Sequence, residues 1–180
     1  MNKLIAVVGM TGSGKSVVTD YLENNGFKKV YFGGLTYEKM KQEGIPYTPE
    51  ADKMMRVKMR EEYGMAAYAI LSLPKIREYI KDSDVVIDGL YSWDEYLVLK
   101  NEFPNIILLS VVVDKNIRYD RLKIRPDRNY TYEEAMDRDL NEIEKLAKGG
   151  PICYADYYIL NNSTIEDEIN SLKNILNKIK

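Results

Sequence analysis

The sequence predicts an α/β fold, a three-layer sandwich in which helices cover both faces of a five-stranded parallel sheet. Three observations lead to this prediction. The candidate strands are short and continuously apolar, segments with helical periodicity alternate with them, and glycine or proline separates many of these segments. Parallel strands buried on both faces are typically apolar throughout and need a helical crossover between them. The length of 180 residues suits a single domain.

Each predicted strand is a run of aliphatic and β-branched residues that ends near a turn signal. The first run leads into a glycine-rich loop, and the second ends at Gly33-Gly34. The five predicted strands are residues 3–8, 30–32, 84–88, 106–113 and 157–160.

The helices between the strands are bounded by capping and breaking residues. Three pairs have the spacing of a capping box: Ser92 with Glu95, Thr131 with Glu134, and Ser163 with Glu166. Pro74 predicts a kink or boundary, Asp114 a side-chain cap, and Gly149-Gly150-Pro151 a firm stop. The predicted helices are residues 15–25, 35–43, 48–63, 65–81, 92–101, 115–124, 131–148 and a last one that follows Ser163.

Composition excludes several classes of function. The net charge of −2 gives no overall positive field for nucleic acid, and the apolar runs are too short to span a bilayer. The chain has no histidine, which excludes Ser-His-Asp and Cys-His catalysis and histidine-bearing zinc sites. Cys153 is the only cysteine, and the N-terminus lacks the pattern of a signal peptide. We therefore expect a cytoplasmic protein that binds neither nucleic acid nor membrane.

The residues from Gly9 to Ser16 match the P-loop pattern G-x-x-x-x-G-K-S without deviation. A predicted strand precedes the motif and a predicted helix follows it, as the motif requires. Backbone N–H groups of such a loop, and the positive end of the helix dipole, bind phosphate oxygens. The expected nucleotide contacts are Gly9, Met10, Thr11, Gly12, Ser13, Gly14, Lys15 and Ser16. The guanine-specifying Asn-Lys-x-Asp pattern is absent, which favours ATP.

Lys15, Ser16 and Asp88 are the candidates for handling the triphosphate and its metal. Lys15 should contact the β- and γ-phosphates, and the Ser16 hydroxyl should ligate Mg²⁺. Asp88 ends a buried strand, where P-loop proteins place a second acidic residue. We expect it to hold Mg²⁺ through water or to orient an acceptor hydroxyl. The alternative is that Asp88 only caps a turn with Gly89.

An arginine series follows the fourth strand. Arg118, Arg121 and Arg125 recur at helical spacing, so we expect them on one helix face, with Arg128 in the loop beyond. Phosphoryl transfer needs cations around the migrating group. We therefore predict that residues 118–131 form a short lid in which Arg121, Arg125 and Arg128 are catalytic and Arg121 also binds the nucleotide. A solvated face paired with nearby aspartates is the alternative.

Residues 35–81 are predicted to form a helical insertion on the acceptor side. Arg56 and Arg60 are four residues apart and share a helix face, where they could bind a phosphorylated acceptor. Ordinary surface charge is the alternative. Three tyrosines are further candidates for substrate contacts, although scattered aromatic residues more often pack in a core. They are Tyr37, Tyr47 and Tyr91.

On these motifs, the whole chain resembles the nucleoside monophosphate kinase group of P-loop proteins: adenylate kinase, dephospho-CoA kinase and uncharacterised archaeal relatives. The matching segments are Gly9–Ser16, Val85–Gly89 with its downstream Ser92 to Glu95, residues 118–128, and residues 155–162 (ADYYILNN). Residues 56–64 are also similar to the acceptor-side helix of the archaeal relatives. The resemblance implies the sheet order 2-3-1-4-5, ATP and Mg²⁺ as cofactors, and a nucleotide contact at Asn161.

The acceptor half departs from the pattern of this group. Adenylate kinases have a Thr-Gly-Asp-x-Leu-Arg motif after the second strand, and dephospho-CoA kinases have an Asp there. This chain has Phe32-Gly33-Gly34-Leu35-Thr36-Tyr37 instead. Adenylate kinases and the archaeal relatives also have an Arg shortly after the Asp-Gly of the third strand, where Tyr91 stands here.

The sequence therefore predicts an ATP- and Mg²⁺-dependent phosphotransferase that acts on a small nucleotide-like acceptor, as a monomer or homodimer. A dephospho-CoA kinase-like activity is one alternative, supported by residues 156–161. An ATP-binding regulator that transfers no phosphate to a small molecule is the other, because the expected acceptor residues are missing.

Overall fold

The carboxyl ends of parallel strands meet at one edge of the central sheet, and this edge positions the candidate site. The computed structural model describes residues 2–126 and 129–179. Its strands are β1 (Leu4–Val8), β2 (Lys28–Tyr31), β3 (Val85–Asp88), β4 (Ile107–Val112) and β5 (Tyr157–Leu160). They pair in parallel in the order β2-β3-β1-β4-β5, which confirms the predicted fold and strand order.

Helices cover both faces of this sheet. They are α1 (Lys15–Asn24), α2 (Gly34–Gln42), α3 (Pro49–Tyr63), α4 (Ala67–Tyr79), α5 (Trp93–Glu102), α6 (Lys115–Lys123), α7 (Tyr132–Glu144), α8 (Gly149–Cys153) and α9 (Ile165–Leu176). One core cluster joins α1 and α9 to alternate β1 residues such as Ile5 and Val7. The other joins α2, α3, α4 and α5 to Leu4, Ala6 and Val8. Alternation of side chains along β1 therefore supplies both cores.

Part of the chain lies beside these layers. A smaller cluster of Tyr119, Leu122 and Ala135 joins α6 to α7. Among residues 2–126 and 129–179, the structure has no helix whose length and apolar character would let it cross a bilayer.

The helix boundary predicted at Pro74, as the alternative to a kink, and the predicted end of α7 at residue 148 are both wrong. Helix α4 continues through Pro74, which is exposed, and buried residues such as Ala69 and Ile76 anchor the helix on both sides of it. Packing of this apolar face compensates for the one backbone hydrogen bond that proline removes. Helix α7 ends at Glu144 instead of reaching residue 148, and Gly149-Gly150-Pro151 begins α8. Proline is tolerated there because the first turn of a helix leaves its N–H groups without partners.

The capping predictions hold for two helices and fail for two. Ser92 with Glu95 and Thr131 with Glu134 form complete capping boxes. At α9 the box is one residue later than predicted and consists of Thr164 with Asp167. Asp114 stands at the N-cap position of α6, but its side chain makes no capping hydrogen bond.

Candidate functional site

The P-loop joins β1 to α1 in a conformation that requires glycine. Gly12 and Gly14 have φ values of 85° and 96°, in the left-handed region. A Cβ atom at Gly14 would also lie 2.3 Å from the amide nitrogen of Asn161. The loop is therefore shaped by residues from the far end of the chain as well as by its own glycines.

Lys15 is the first residue of α1, and its side chain folds back onto the P-loop. Its Nζ donates to the backbone oxygen of Met10 at 2.9 Å and lies 3.5 Å from Ser13 Oγ. Burial, and after it the nearby charge of Lys148, lower the pKa of Lys15 to about 7, against the opposing attractions of Glu142 and Asp88. An ammonium group in this position is poorly compensated by the protein, which suits a residue that binds phosphate.

Asp88 lies at the same sheet edge as the P-loop, since Val7 and Asp88 are register partners on β1 and β3. Its Oδ2 accepts a hydrogen bond from Thr19 Oγ1 at 3.2 Å, and Thr19 Oγ1 is also 3.3 Å from the backbone oxygen of Ser16. Burial raises the pKa of Asp88, while Lys29 and Thr19 oppose that shift. The structure thus brings Asp88 close to Lys15 and, through Thr19, to the backbone of Ser16. The roles of these residues at a triphosphate and Mg²⁺ stay predictions.

A buried ion pair joins helices α6 and α7 to the P-loop. The guanidinium of Arg118 binds both carboxylate oxygens of Asp139, and it donates to the backbone oxygen of Thr11 at 2.8 Å. Tyr119 donates to the same carboxylate at 3.0 Å. Arg118 is only 6% exposed, so it supports the loop from beneath. This corrects the expectation that Arg118 shares one helix face of a lid with Arg121 and Arg125.

A second buried network, from α7 and the α7–α8 connection, meets the side chain of Thr11. Thr11 Oγ1 donates to Glu142 Oε1 at 2.7 Å, and Arg138 Nε donates to Thr11 Oγ1 at 2.8 Å and to Glu142 Oε1 at 3.2 Å. Lys148 Nζ donates to the other carboxylate oxygen, Glu142 Oε2, at 2.8 Å. Burial alone would raise the pKa of Glu142, but Lys148, Arg138 and Thr11 bring it down to about 2.

Sequence reasoning did not single out Glu142, Arg138 or Lys148 as site residues. They lie more than 120 residues beyond Thr11 in the chain, as their contacts record. In sequence they belong to an ordinary run of acidic and basic residues after the predicted lid. Their proximity to the P-loop depends on how α7 docks on the domain, and no local motif signals that.

The predicted lid residues are placed differently from one another. Arg121 is half-buried on α6, and its guanidinium is 3.5 Å from the backbone oxygen of Ser163. Arg125 lies beyond the end of α6 and is exposed. Arg128 lies outside the described residues. The three lid roles therefore remain predictions.

Asn161 lies behind the P-loop. It is 4% exposed, and its Nδ2 donates to the backbone oxygen of Ser13 at 3.0 Å and to Glu168 Oε2 at 2.8 Å. Glu168 is also buried, and burial raises its pKa to about 7. In this arrangement, the Asn161 side chain braces the loop backbone. Its predicted contact with the nucleotide remains a prediction.

The acceptor-side arginines of α3 have different surroundings. Arg56 pairs with Asp52 one turn earlier on the same helix. Arg60 lies over the ring of Tyr68 at 5.2 Å, and its Nε is buried without a hydrogen-bond partner. Because Tyr68 belongs to the core, Arg60 points into the domain instead of into solvent.

The structure also places the three candidate tyrosines in different surroundings. The ring of Tyr91 packs against Gly89, and its centroid lies 6.3 Å from the centroid of the Tyr68 ring. Lys148 Nζ lies over the Tyr91 ring, 5.1 Å from its centroid. Tyr37 and Tyr47 stack on each other at 4.8 Å and are both about half exposed. Only Tyr91 is therefore next to the network around Thr11.

Comparison with known proteins places the chain in a family. Residues 5–145 match a family model described as an AAA domain. UPF0200 protein PH1008 of Pyrococcus horikoshii is 36% identical over 98% of this chain and 97% of that protein. UPF0200 protein MJ1399 of Methanocaldococcus jannaschii is 32% identical over 98% of this chain and 90% of that protein. The chain belongs to the UPF0200 family and contains an AAA domain.

Solved structures share the fold of this UPF0200 protein along nearly its whole length. TT1252 from Thermus thermophilus superposes with a TM-score of 0.72 at 16% identity and covers 99% of this chain and 98% of its own. A shikimate kinase from Bacteroides thetaiotaomicron gives 0.63 at 14% identity, with 98% of both chains covered. A gluconokinase from Sinorhizobium meliloti gives 0.56 at 14% identity, covering 98% of this chain and 95% of its own. The chain therefore shares its fold with these two kinases.

Proposed function

We propose that this UPF0200 protein is an ATP- and Mg²⁺-dependent phosphotransferase whose acceptor is a small phosphorylated molecule of the nucleoside monophosphate class. The observation that carries the proposal is the convergence of Lys15, Arg138 and Asp88 at the carboxyl edge of the sheet, around a complete P-loop. Cations around a phosphate-binding loop are what stabilisation of a migrating phosphoryl group requires.

The residues of the loop fit a nucleoside triphosphate and its metal. The glycine conformations bring backbone N–H groups together for phosphate oxygens, and Lys15 has a lowered pKa that a bound anion would restore. Ser16 and Asp88 offer a hydroxyl and a carboxylate, which are the oxygen ligands that Mg²⁺ prefers. When bound, Mg²⁺ would neutralise charge on the β- and γ-phosphates.

The chain's own groups would then have distinct roles. The loop N–H groups and Lys15 would hold the donor phosphates, and Asp88, with Thr19 beside it, would orient the metal or the acceptor. Arg138 would add a cation at the γ-phosphoryl group. The lid arginines, Arg121, Arg125 and Arg128, would close over the site and exclude water.

The inward direction of Arg60 supports a phosphorylated acceptor. A guanidinium binds phosphate through paired hydrogen bonds, and the buried Nε of Arg60 is a donor without a partner in the described residues. Arg56, by contrast, already pairs with Asp52, so we assign it the lesser role in binding the acceptor. Tyr91 would form the wall between the acceptor and the γ-phosphate.

The test is a panel of acceptors incubated with ATP and Mg²⁺: nucleoside monophosphates, deoxynucleotides and dephospho-CoA. We expect phosphorylation of at least one monophosphate, and a loss of turnover of roughly 10² or more in Lys15→Ala, because Lys15 stabilises charge in the transition state. Lys178→Ala, at an exposed position far along the chain, is the matched control.

Each other outcome has a defined meaning. An unchanged rate in Lys15→Ala would contradict the mechanism. Phosphorylation of dephospho-CoA alone would favour the coenzyme reaction. Tight ATP binding without phosphorylation of any acceptor would favour a regulator that responds to ATP.

A further inference from the structure

Tyr31 lies at the carboxyl edge of the sheet, beside the residues of the candidate site. It is the last residue of β2, and its register partner on β3 is Asp88. Paired residues of neighbouring parallel strands point to the same face of the sheet, and the strands are about 5 Å apart. The side chains of Tyr31 and Asp88 therefore leave the same face next to each other. Tyr31 belongs to none of the motifs that indicate the site.

The ring of Tyr31 lies against the turn that joins β2 to α2. A Cβ atom at Gly33 would collide with the Tyr31 hydroxyl and with two carbons of its ring, and one at Gly34 would lie 3.3 Å from a ring carbon. Gly33 has φ −60° and ψ −27°, which other residues adopt without strain, so the ring and not the backbone excludes a side chain there. The turn thus holds one side of the ring, while Tyr31 remains 50% exposed.

Charged groups from two sides of the site act on the Tyr31 phenol. Partial burial raises the pKa of Tyr31, and the carboxylates of Asp88 and Asp52 raise it further. The guanidinium groups of Arg56 and Arg125 oppose this shift. Asp52 and Arg56 belong to α3, and Arg125 follows α6. The phenol is therefore near both the acceptor-side helices and the predicted lid.

A second phenol lies near that of Tyr31. Tyr91 follows the strand that ends at Asp88, and its ring packs against Gly89. Burial raises the pKa of Tyr91, and the phenol of Tyr31 raises it further. In the proposed function, Tyr91 forms the wall between the acceptor and the γ-phosphate. An acceptor that lies against this wall would also be near the Tyr31 ring.

We propose that Tyr31 is an acceptor-binding residue whose ring stacks on the base of a nucleoside monophosphate, and that Gly33 keeps the ring in place because it has no side chain. This role rests on the proposed function and adds a residue that selects for an acceptor with a base. An aromatic ring can stack on any base, because every base has a π face. The exposed side of the Tyr31 ring is available for this contact beside Asp88, the group proposed to orient the metal or the acceptor.

Substitutions at Tyr31 and Gly33 separate stacking from a structural role. Tyr31→Phe keeps the ring and removes the hydroxyl, whereas Tyr31→Leu removes the ring. Gly33→Ala adds the Cβ atom that the ring cannot accommodate, at a backbone conformation that alanine adopts freely. Its matched control is Gly149→Ala, because a Cβ atom there would meet nothing within 4 Å. Tyr158→Leu, at a position 49% exposed on the opposite edge strand, is the control for the loss of a tyrosine.

The measurements are the dissociation constants of AMP, GMP, CMP, UMP and ribose 5-phosphate, with Mg²⁺ and a saturating non-hydrolysable ATP analogue to fill the donor site. Ribose 5-phosphate has a phosphate and a sugar but no base. For the monophosphate that wild type binds best, we expect Tyr31→Leu and Gly33→Ala each to weaken binding by about tenfold or more, as for the loss of one base–aromatic contact. Tyr31→Phe should stay within about threefold of wild type, because it keeps the ring.

The other affinities should not change. All variants should bind ribose 5-phosphate and ATP as wild type does, and the two control variants should also bind the monophosphate as wild type does. Gly33→Ala should add little to the effect of Tyr31→Leu, because the ring that it displaces is then already absent.

Equal weakening of the monophosphate and of ribose 5-phosphate would overturn the stacking role, since the loss would then not depend on the base. A loss in Tyr31→Phe as large as that in Tyr31→Leu would overturn it too, because the hydroxyl would then be the contact. Unchanged affinity in Tyr31→Leu would also overturn it, and the proposed function would stand if wild type phosphorylates that monophosphate. If monophosphates bind through Tyr31 but none is phosphorylated, the proposed function fails and the stacking role stands. Wild type that binds none of the four monophosphates would overturn both.

Discussion

Among single residues, Lys15 has a charge that depends on its burial and on the charged groups around it. Its neighbours in the structure are a backbone oxygen and a hydroxyl, and burial followed by the charge of Lys148 lowers its pKa to about 7. At pH 8 most of these side chains are therefore neutral before nucleotide binds. A triphosphate beside the amine favours the ammonium form, so its pKa rises on binding. Binding above pH 7 must then take up a proton at Lys15.

We predict an uptake approaching one proton when Mg²⁺–ATP binds at pH 8, and a much smaller uptake at pH 6, where Lys15 is already charged. Calorimetric titration in buffers of different ionisation enthalpy measures this number. Lys15→Arg is the control, because a guanidinium stays charged at both pH values and should bind without this uptake. An equal proton uptake at pH 6 and pH 8 would show that the pKa of Lys15 does not move.

At this same scale, the sequence could predict only part of the candidate site. Lys15 and Asp88 belong to short motifs at the ends of adjacent parallel strands, and the sheet brings such ends together. Glu142 and Lys148 follow no motif. Their burial comes from the docking of α7 and from the left-handed turn at Ala147, and no local pattern predicts either.

At the scale of elements, helices α6 and α7 are tied together beneath the P-loop by one ion pair. The carboxylate of Asp139 accepts hydrogen bonds from two nitrogens of the Arg118 guanidinium. The same guanidinium donates to the backbone oxygen of Thr11. Arg125, only seven residues further on, is exposed beyond the end of α6. Their helical spacing suggested equivalent roles, but α6 ends at Lys123, so Arg125 does not continue the face that begins at Arg118.

We predict that Arg118→Met lowers the free energy of unfolding by about 3 kcal/mol, because it leaves the carboxylate of Asp139 buried without its cation. Arg125→Met should change stability by less than about 0.5 kcal/mol, as expected at an exposed position. Urea denaturation of the two variants makes the comparison. If Arg125 acts in a lid, its variant should instead show reduced turnover with unchanged stability. Equal stability losses would contradict the different placement of the two arginines.

Element boundaries were predicted less well than element types, for physical reasons. Capping boxes at Ser92 and Thr131 follow from local chemistry, and both are present. Before α9, two adjacent residues have the spacing of a capping box: Ser163 with Glu166, and Thr164 with Asp167. The structure uses the second pair. At Pro74, burial of α4 against the core outweighs the local preference of proline to end a helix.

For the molecule as a whole, the fold follows from strands that are apolar on both faces. Each such strand needs a helical layer above and below it, and right-handed crossovers leave few arrangements. The strand order itself came from a resemblance to P-loop kinases, and the sheet confirms it. Stability of the whole chain depends in addition on carboxylates that the fold buries, which the strand pattern does not reveal.

Two buried carboxylates contribute to the pH dependence of stability between about pH 4.5 and 7. Burial raises the pKa values of Glu95 and Glu168 from 4.5 to about 7 each, so between these values the folded state binds more protons than the unfolded state. Stability therefore falls as pH rises from about 4.5 to 7. Glu142 acts at the acid end, since its pKa is lowered to about 2 and its contribution is lost only as pH falls from 4.5 through 2.

We predict that Glu168→Gln stabilises the protein at pH 7.5 by on the order of 1 kcal/mol and changes little at pH 5, where the wild-type carboxyl is mostly protonated in the folded state. The Gln oxygen can still accept the hydrogen bond from Asn161, so the brace behind the P-loop is kept. Thermal unfolding at the two pH values, without nucleotide, measures the difference. Glu166→Gln, at an exposed position on the same helix, should show no such dependence. A stabilisation of Glu168→Gln that is equal at both pH values would mean that the carboxyl of Glu168 does not titrate between them.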